Sequence, residues 1–438
     1  MSARKRLAQV GTDHSRARLS RRSALQRTGA FGIGASIAAT GLAPAVHAQD
    51  KVQVRLATWA AVEEANQLQE VIDEVNAGAT DFEIISEPQP ADYYTRLQTT
   101  IAGGTAPDLF WLSQEFIAGY AELGAVLDIS DMLEADDTPA ADLSDYFEPI
   151  LSTAQYDGRT YGLPWISQPV MLYYNVTMFE EAGIEPPDES WDWATFRETA
   201  AMLTDAEAGV YGTSFNSWPP IHMFIWQAGG ETISPDLDAC PIDSPEAIEG
   251  AQFYADIIYN EEVAAPEAAI AEQGFGEMMK AGRIAMFFGG AADDLDYAYR
   301  QDPVNAEIAM ALVPSGSAGR ATFAYTASTV VSAETENPEV AYRALVALTE
   351  GIHHWKIAAP RQSLATEEVI AESVPDKAES AAIIVQALDD MRTLNIIPQQ
   401  AEWDVTFFEE YQVPIFYDEA TAEELAPEVR PILEDLLP

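Results

Sequence analysis

The sequence predicts an α/β protein built on a doubly wound sheet, and three observations carry that expectation. Strand-like and helix-like stretches alternate from residue 51, and glycines stand at the ends of the helical stretches. The roughly 390 residues beyond position 48 also exceed what one hydrophobic core organises, so two domains are expected.

Taken in order, residues 51–59 alternate apolar and polar side chains as a half-buried strand does. Ala65, Leu68, Ile72 and Val75 then recur at helical spacing until Gly78 ends the run. A second strand is expected over 82–86. Tyr94, Leu97 and Ile101 mark a second helix that Gly103-Gly104 stops, and 108–112 is a third strand. This βαβαβ opening places any ligand beyond the carboxyl ends of the strands. Further along, 191–203 is expected to be helical, with Phe196, Ala200 and Leu203 on one face. A short helix over 275–281 precedes a strand over 284–288, and 307–313 and 329–332 are further strands. Asn337-Pro338 caps a helix reaching Leu348, and an acidic amphipathic helix begins near Thr421.

The first 48 residues differ in kind. They hold eight of the 23 basic residues, a Gly/Ala-rich apolar run over 29–46, and Val46-His47-Ala48 as a small-residue end. Arg21-Arg22 followed by Leu25 resembles the twin-arginine export signal. The expectation is a cleaved signal over 1–48 and a periplasmic product. A transmembrane anchor is the rival, disfavoured by Pro44 and by the Ala/Gly composition.

Charge and ligand inventory exclude several function classes. With the signal's eight basic residues and one Asp set aside from 23 and 71, 15 basic residues face 70 acidic ones, a net of about −55. Such a surface repels nucleic acid and anionic membranes, and its self-repulsion is relieved by strong salt, so a salt-adapted protein is expected. Beyond the signal the chain offers only Cys240, His222, His353 and His354 besides carboxylates. No Cys cluster is possible, the adjacent histidines diverge on either a helix or a strand, and no metal or other cofactor is expected.

Four stretches, GTAPDLFWLSQEFIAGYAELGAVLDI (104–129), YGLPWISQPVMLYYNVTMFEEAG (161–183), GEMMKAGRIAMFFGG (276–290) and ENPEVAYRALVALTEG (336–351), occur in an order and spacing that resemble the sugar-binding proteins of ABC importers related to maltose-binding protein. The resemblance implies a two-lobed clamshell of type II character with crossing hinge strands. Its lobes would be 50–163 with 317–363 and 164–316 with 364–438. It also implies a monomer that captures a sugar between the lobes and delivers it to membrane permease subunits.

A pyranose presents apolar C–H faces to aromatic rings and a rim of hydroxyls to carboxylates and amides. On that basis the resemblance nominates Trp59 and Glu63 at the first βα loop, although core packing and a helix N-terminal charge are their plainer roles. Gln114 and Glu115 follow the third strand. Leu112 stands where maltose-binding protein has a stacking Trp, which argues against an extended oligosaccharide, and Trp111 is expected in the core by strand alternation. Gln168 matches the crossover position, with a backbone-satisfying hinge residue as its alternative. Trp218, Asp293, Arg361 and Trp403 complete the set; a helix cap competes for Asp293, a salt bridge for Arg361 and core packing for Trp403. The aromatic pairs Tyr173-Tyr174, Phe287-Phe288 and Phe407-Phe408 are left to packing.

Two rival functions stay in view. A secreted carbohydrate-active enzyme would also use Trp and paired acids, but no GxSxG, His-rich metal motif or Gly-rich phosphate loop is present, and the chain is expected not to be an enzyme. The same fold with acids lining its cleft would also suit a polyamine or another cationic solute.

Overall fold

The computed structural model describes residues 51–438 apart from 215–219 and 356–358. The export segment expected over 1–48 and the nominated Trp218 lie outside the described residues.

The opening follows the expected alternation. Strand β1 (Val52–Thr58) leads to α1 (Val62–Gly78), β2 (Phe82–Pro88), α2 (Tyr93–Ala102) and β3 (Leu109–Ser113). β1 runs parallel to both neighbours, with Val52 opposite Phe82 and Leu56 opposite Leu109. α1 buries Leu68 and Ile72, one turn apart on the face turned to the sheet. Gly104, just past α2, has a φ of 65°, a left-handed turn that glycine adopts without steric cost.

A long strand, β4 (Gly162–Asn175), follows. Then come helices α3 (Trp193–Met202) and α4 (His222–Gln227), strands β5 (Met286–Gly290), β6 (Ile308–Ala311) and β7 (Thr322–Val331), and α5 (Pro338–Ile352). The chain ends through β8 (Met391–Arg392), α6 (Gln400–Thr406) and α7 (Ala422–Glu434). The main sheet has the order β6-β4-β7-β3-β1-β2, with β5 added to β4 and β8 to β7.

Two strands decide the architecture. Leu163, Trp165 and Ile166 of β4 pack with Leu56, Trp111 and Leu345, whereas from Val170 onward the same strand joins Trp191, Phe224 and Phe288 on one face. On its other face Met171 and Tyr173 meet Phe287 and Met278. β7 makes the reverse passage: Ala327 and Val331 serve the first core, Ala321 and Phe323 the second. The fold is therefore a two-lobed α/β clamshell whose halves share one antiparallel ribbon, in which Tyr325 pairs with Gln168 and Thr326 with Ser167.

Two sequence expectations are corrected, and one long strand was not foreseen. β7 covers Thr322–Val331, ten residues rather than a short strand over 329–332, because every residue but Tyr325 is buried, the polar Thr322, Thr326 and Ser328 included, and a strand buried on both faces shows no polar-apolar period. β4 escaped periodicity because it holds Pro164 and Pro169, and its ladder with β7 shifts register beside Pro164. Asn337 makes no side-chain cap bond to α5, although Pro338 does occupy the first turn. The expected C-terminal helix has a full capping box, in which Thr421 accepts from Glu424 N and Glu424 accepts from Thr421 N.

The scarce basic residues act as fasteners. Lys377 is fully buried, donating to Asp296 and to the backbone oxygen of Asp293, while Ser380 donates to the other Asp296 oxygen. Lys377→Met, which strands the Asp296 carboxylate in an apolar site, is expected to cost about 3–5 kcal/mol of unfolding free energy. Thr421→Ala, which removes only the cap, should cost about 1 kcal/mol. Chemical denaturation of both variants checks the ranking.

Candidate functional site

The carboxyl ends of β1 and β3 open onto the crossing ribbon, and an aromatic wall forms there. Trp59, half-buried after β1, meets Tyr93 edge-on at 5.4 Å and Trp111 at 5.1 Å, and Trp111 stacks on Trp165 of β4 at 4.3 Å. Tyr94 packs on Phe116 at 4.0 Å. Trp111 is in the core, as strand alternation required.

Polar groups rise from this wall. Ser113 ends β3, its hydroxyl donates to Glu115 Oε1 at 2.6 Å, and its N–H donates to the Tyr94 hydroxyl at 3.1 Å. Tyr94 thus directs its own proton to Ser113 Oγ, 2.9 Å away. Removal from water pushes the Glu115 carboxyl up despite the Ser113 bond. Burial, then the charges of Glu115 and Glu64, hold the phenol of Tyr325 in its protonated form. Gln114 is buried with its Oε1 lacking a hydrogen-bond partner.

The second half supplies the opposing side. α6 packs against the turn over 114–116. On it Asp404, half-buried, accepts from Gln400 Nε2 at 2.8 Å. Desolvation and the nearby Glu115 charge push the Asp404 carboxyl up to about 7.

The nominated residues divide. Trp59, Gln114, Glu115 and Gln168 gather around this junction, Gln168 by its pairing with Tyr325. Glu63 is exposed on the first turn of α1, and the acid turned toward the ribbon is its neighbour Glu64, four residues before Leu68 on the buried face. Trp403 is 0 % exposed and stacks on Phe407 at 4.9 Å, the packing role that competed for it. Arg361 is likewise used elsewhere, 6 % exposed and paired with Asp145 at 2.9 Å and Glu350 at 3.3 Å. Asp293 lies in the loop after β5, where its Oδ2 accepts from Gly290 N at 3.0 Å beside an open pocket of ≈ 420 Å³ lined by Phe275, Lys280 and Phe287. Burial pushes its carboxyl up to about 6.

Sequence reasoning missed Glu64, Tyr94, Tyr325 and Asp404. The i, i+4 spacing of Glu64 from Leu68 and the residue next to buried Trp403 were the available signals. Tyr325 had none once its strand went unread. Both members of Tyr173-Tyr174 and of Phe287-Phe288 are buried, on opposite faces of the second half's sheet.

Among the described residues no group of His, Cys, Asp and Glu is arranged to hold a metal ion, and no helix is long and apolar enough to cross a membrane. The chain belongs to the bacterial extracellular solute-binding proteins, whose family model matches residues 60–350. A putative binding protein of Brucella abortus is 24% identical over 285 residues, which cover 64% of this chain and 66% of the relative, just under two thirds of its length. The fold is that of an ABC substrate-binding protein of Listeria monocytogenes in complex with cycloalternan, with a TM-score of 0.75, 24% identity, and 88% of this chain and 99% of that one covered. It is likewise that of a solute-binding protein of Thermotoga lettingae bound with alpha-D-tagatose, with a TM-score of 0.73, 22% identity, and 89% and 100% covered.

His222 bears on the second half's acid tolerance. It packs on Phe407 at 5.1 Å with neither ring nitrogen hydrogen-bonded, and burial pushes its pKa down to about 4. A depressed histidine favours the folded state above its unfolded value, near 6.5, and that advantage is lost as pH falls through 6.5 toward 4. His222→Phe should therefore lose less thermal stability than the wild type between about pH 6.5 and pH 4.5, as melting curves would show.

Proposed function

We propose that this chain is the soluble binding component of an ABC import system and captures a sugar, a monosaccharide or short oligosaccharide, between its halves before passing it to a membrane permease. The observation that carries the reading is the meeting of Glu115 and Asp404, from opposite halves, against the aromatic wall of Trp59, Tyr94 and Tyr325. Carboxylates and Gln114 Oε1 accept hydrogen bonds from sugar hydroxyls, and the rings pack on C–H faces. The halves swing about Gln168 and Tyr325, and a guest that touches both favours the closed population. Closure, rather than turnover of a substrate, is what the permease reads. Neighbours of known structure that carry cycloalternan and tagatose support a carbohydrate guest.

In this reading Gln168 touches the guest at the hinge, Asp293 is a further acid of the second half, and Trp218 is a further candidate contact to the guest. Export through the twin-arginine route delivers the folded monomer to the periplasm, and its acidic surface keeps it soluble in strong salt. A second reading has one observation in its favour: the charges that act on Tyr325 and Asp404 come from the acids Glu64 and Glu115, which would also suit a cationic solute such as a polyamine.

A thermal-shift screen of mono- and oligosaccharides, polyols and polyamines, run at several salt concentrations, separates the two, because a ligand raises the melting temperature in proportion to its binding. A sugar hit is expected; hits confined to cations would overturn the carbohydrate assignment. Against such a hit, Glu115→Gln and Trp59→Ala should each weaken binding by about 1–3 kcal/mol, roughly tenfold or more, in calorimetry.

A further inference from the structure

We infer that Asp404 is a guest-facing residue of the cleft, and that it and Glu115 close on an uncharged guest as one unit with a single proton between them. The inference rests on the cleft reading above and adds to it a residue, a proton and the guest's lack of charge.

The geometry is specific. Glu115 stands on the turn after β3 in the first half, Asp404 on α6 in the second, and α6 packs directly on that turn. Each carboxylate has one oxygen occupied by a local donor, Ser113 for Glu115 and Gln400 for Asp404. The groups that act on the pair come from several elements. Tyr94 on α2 and Tyr325 on β7 stand beside Glu115, and both phenols keep their protons. Glu64 on α1 adds a further negative charge near Tyr325. On the Asp404 side, Trp403 packs with His222, whose ring burial keeps neutral. Closing the halves therefore brings two anions together in a field made by acids.

With α6 packed on the 114–116 turn, the Glu115 charge acts on Asp404, and a guest that covers both carboxylates makes it costly for the two to stay ionised. An uncharged guest cannot neutralise them, so one proton enters from solvent and the pair passes from two negative charges to one. The protonated member then donates and the ionised one accepts, which matches a hydroxyl that does both. A solvated carboxyl titrates near 4, whereas burial, with the Glu115 charge added, pushes Asp404 in this arrangement up to about 7. Between those values closure takes up as much as one proton, so affinity falls by up to about tenfold per pH unit as pH rises and levels off above about 7.

The test uses the whole exported chain. Small-angle scattering of the ligand-free protein in strong salt, at about pH 5 and about pH 8, should give a smaller radius of gyration at the lower pH for the wild type and no change for Asp404→Asn or Glu115→Gln. The dissociation constants of maltose, D-tagatose and ribitol should weaken at least threefold per unit between about pH 5 and pH 7 in the wild type, for whichever of them binds, and vary less than threefold over the same range in either variant. Equal acid compaction in all three proteins, no compaction in any, or a flat wild-type affinity would overturn the shared proton. Tight binding of spermidine that strengthens with rising pH would overturn the uncharged guest. Failure of every sugar in the screen would sink the cleft's carbohydrate role, while the scattering would still decide the proton.

Discussion

The antiparallel ribbon of β4 and β7 is the constraint on which everything else depends. Each strand spends one end in the first core and the other in the second, so neither half can pack without fixing the direction of the other's strands. Where the cores hand over, at Gln168 and Tyr325, the ladder continues without a break, and Tyr325 touches both clusters.

That constraint also explains why the polar groups gather where they do. The carboxyl ends of β1 and β3 reach the ribbon from one side and α6 from the other, so side chains that leave these ends converge on one junction. Gln114 sits there with its buried Oε1 unpartnered, and Glu115 and Asp404 with carboxyls that removal from water pushes up. In contrast, buried Arg361 and Lys377 have their charges met, by Asp145 and Glu350 in one case and by Asp296 in the other. A chain so poor in cations uses them to fasten segments distant in sequence, and leaves its cleft to acids.

The conflict between surface and site follows from the same composition. Negative charge spread over the outside favours solubility in salt but opposes compaction, and the capping box at Thr421 and the Lys377 cluster counter it locally. Inside the cleft screening by salt is weaker, because the carboxylates are shielded from solvent.

Much of the first half was legible in the sequence. Alternation over 51–59, the stripe of Leu68 and Ile72, and the glycine stops report local rules, and α1, α2 and β1 to β3 obey them within a residue or two. The candidate site was legible only in part. Trp59, Gln114 and Glu115 follow strands that local pattern already locates, so their position at the carboxyl ends was implied. Glu64 against Glu63, and Asp404 against Trp403, are choices between neighbours about 100° apart on a helix, and only packing shows which way the helix is turned. Residue by residue, the sequence determined the elements of the first half and the acidity of the whole. The tertiary structure alone decided that β4 and β7 serve two cores and that Glu115 and Asp404, 289 positions apart, come together, because pairing at such separation depends on how the halves pack rather than on any local preference.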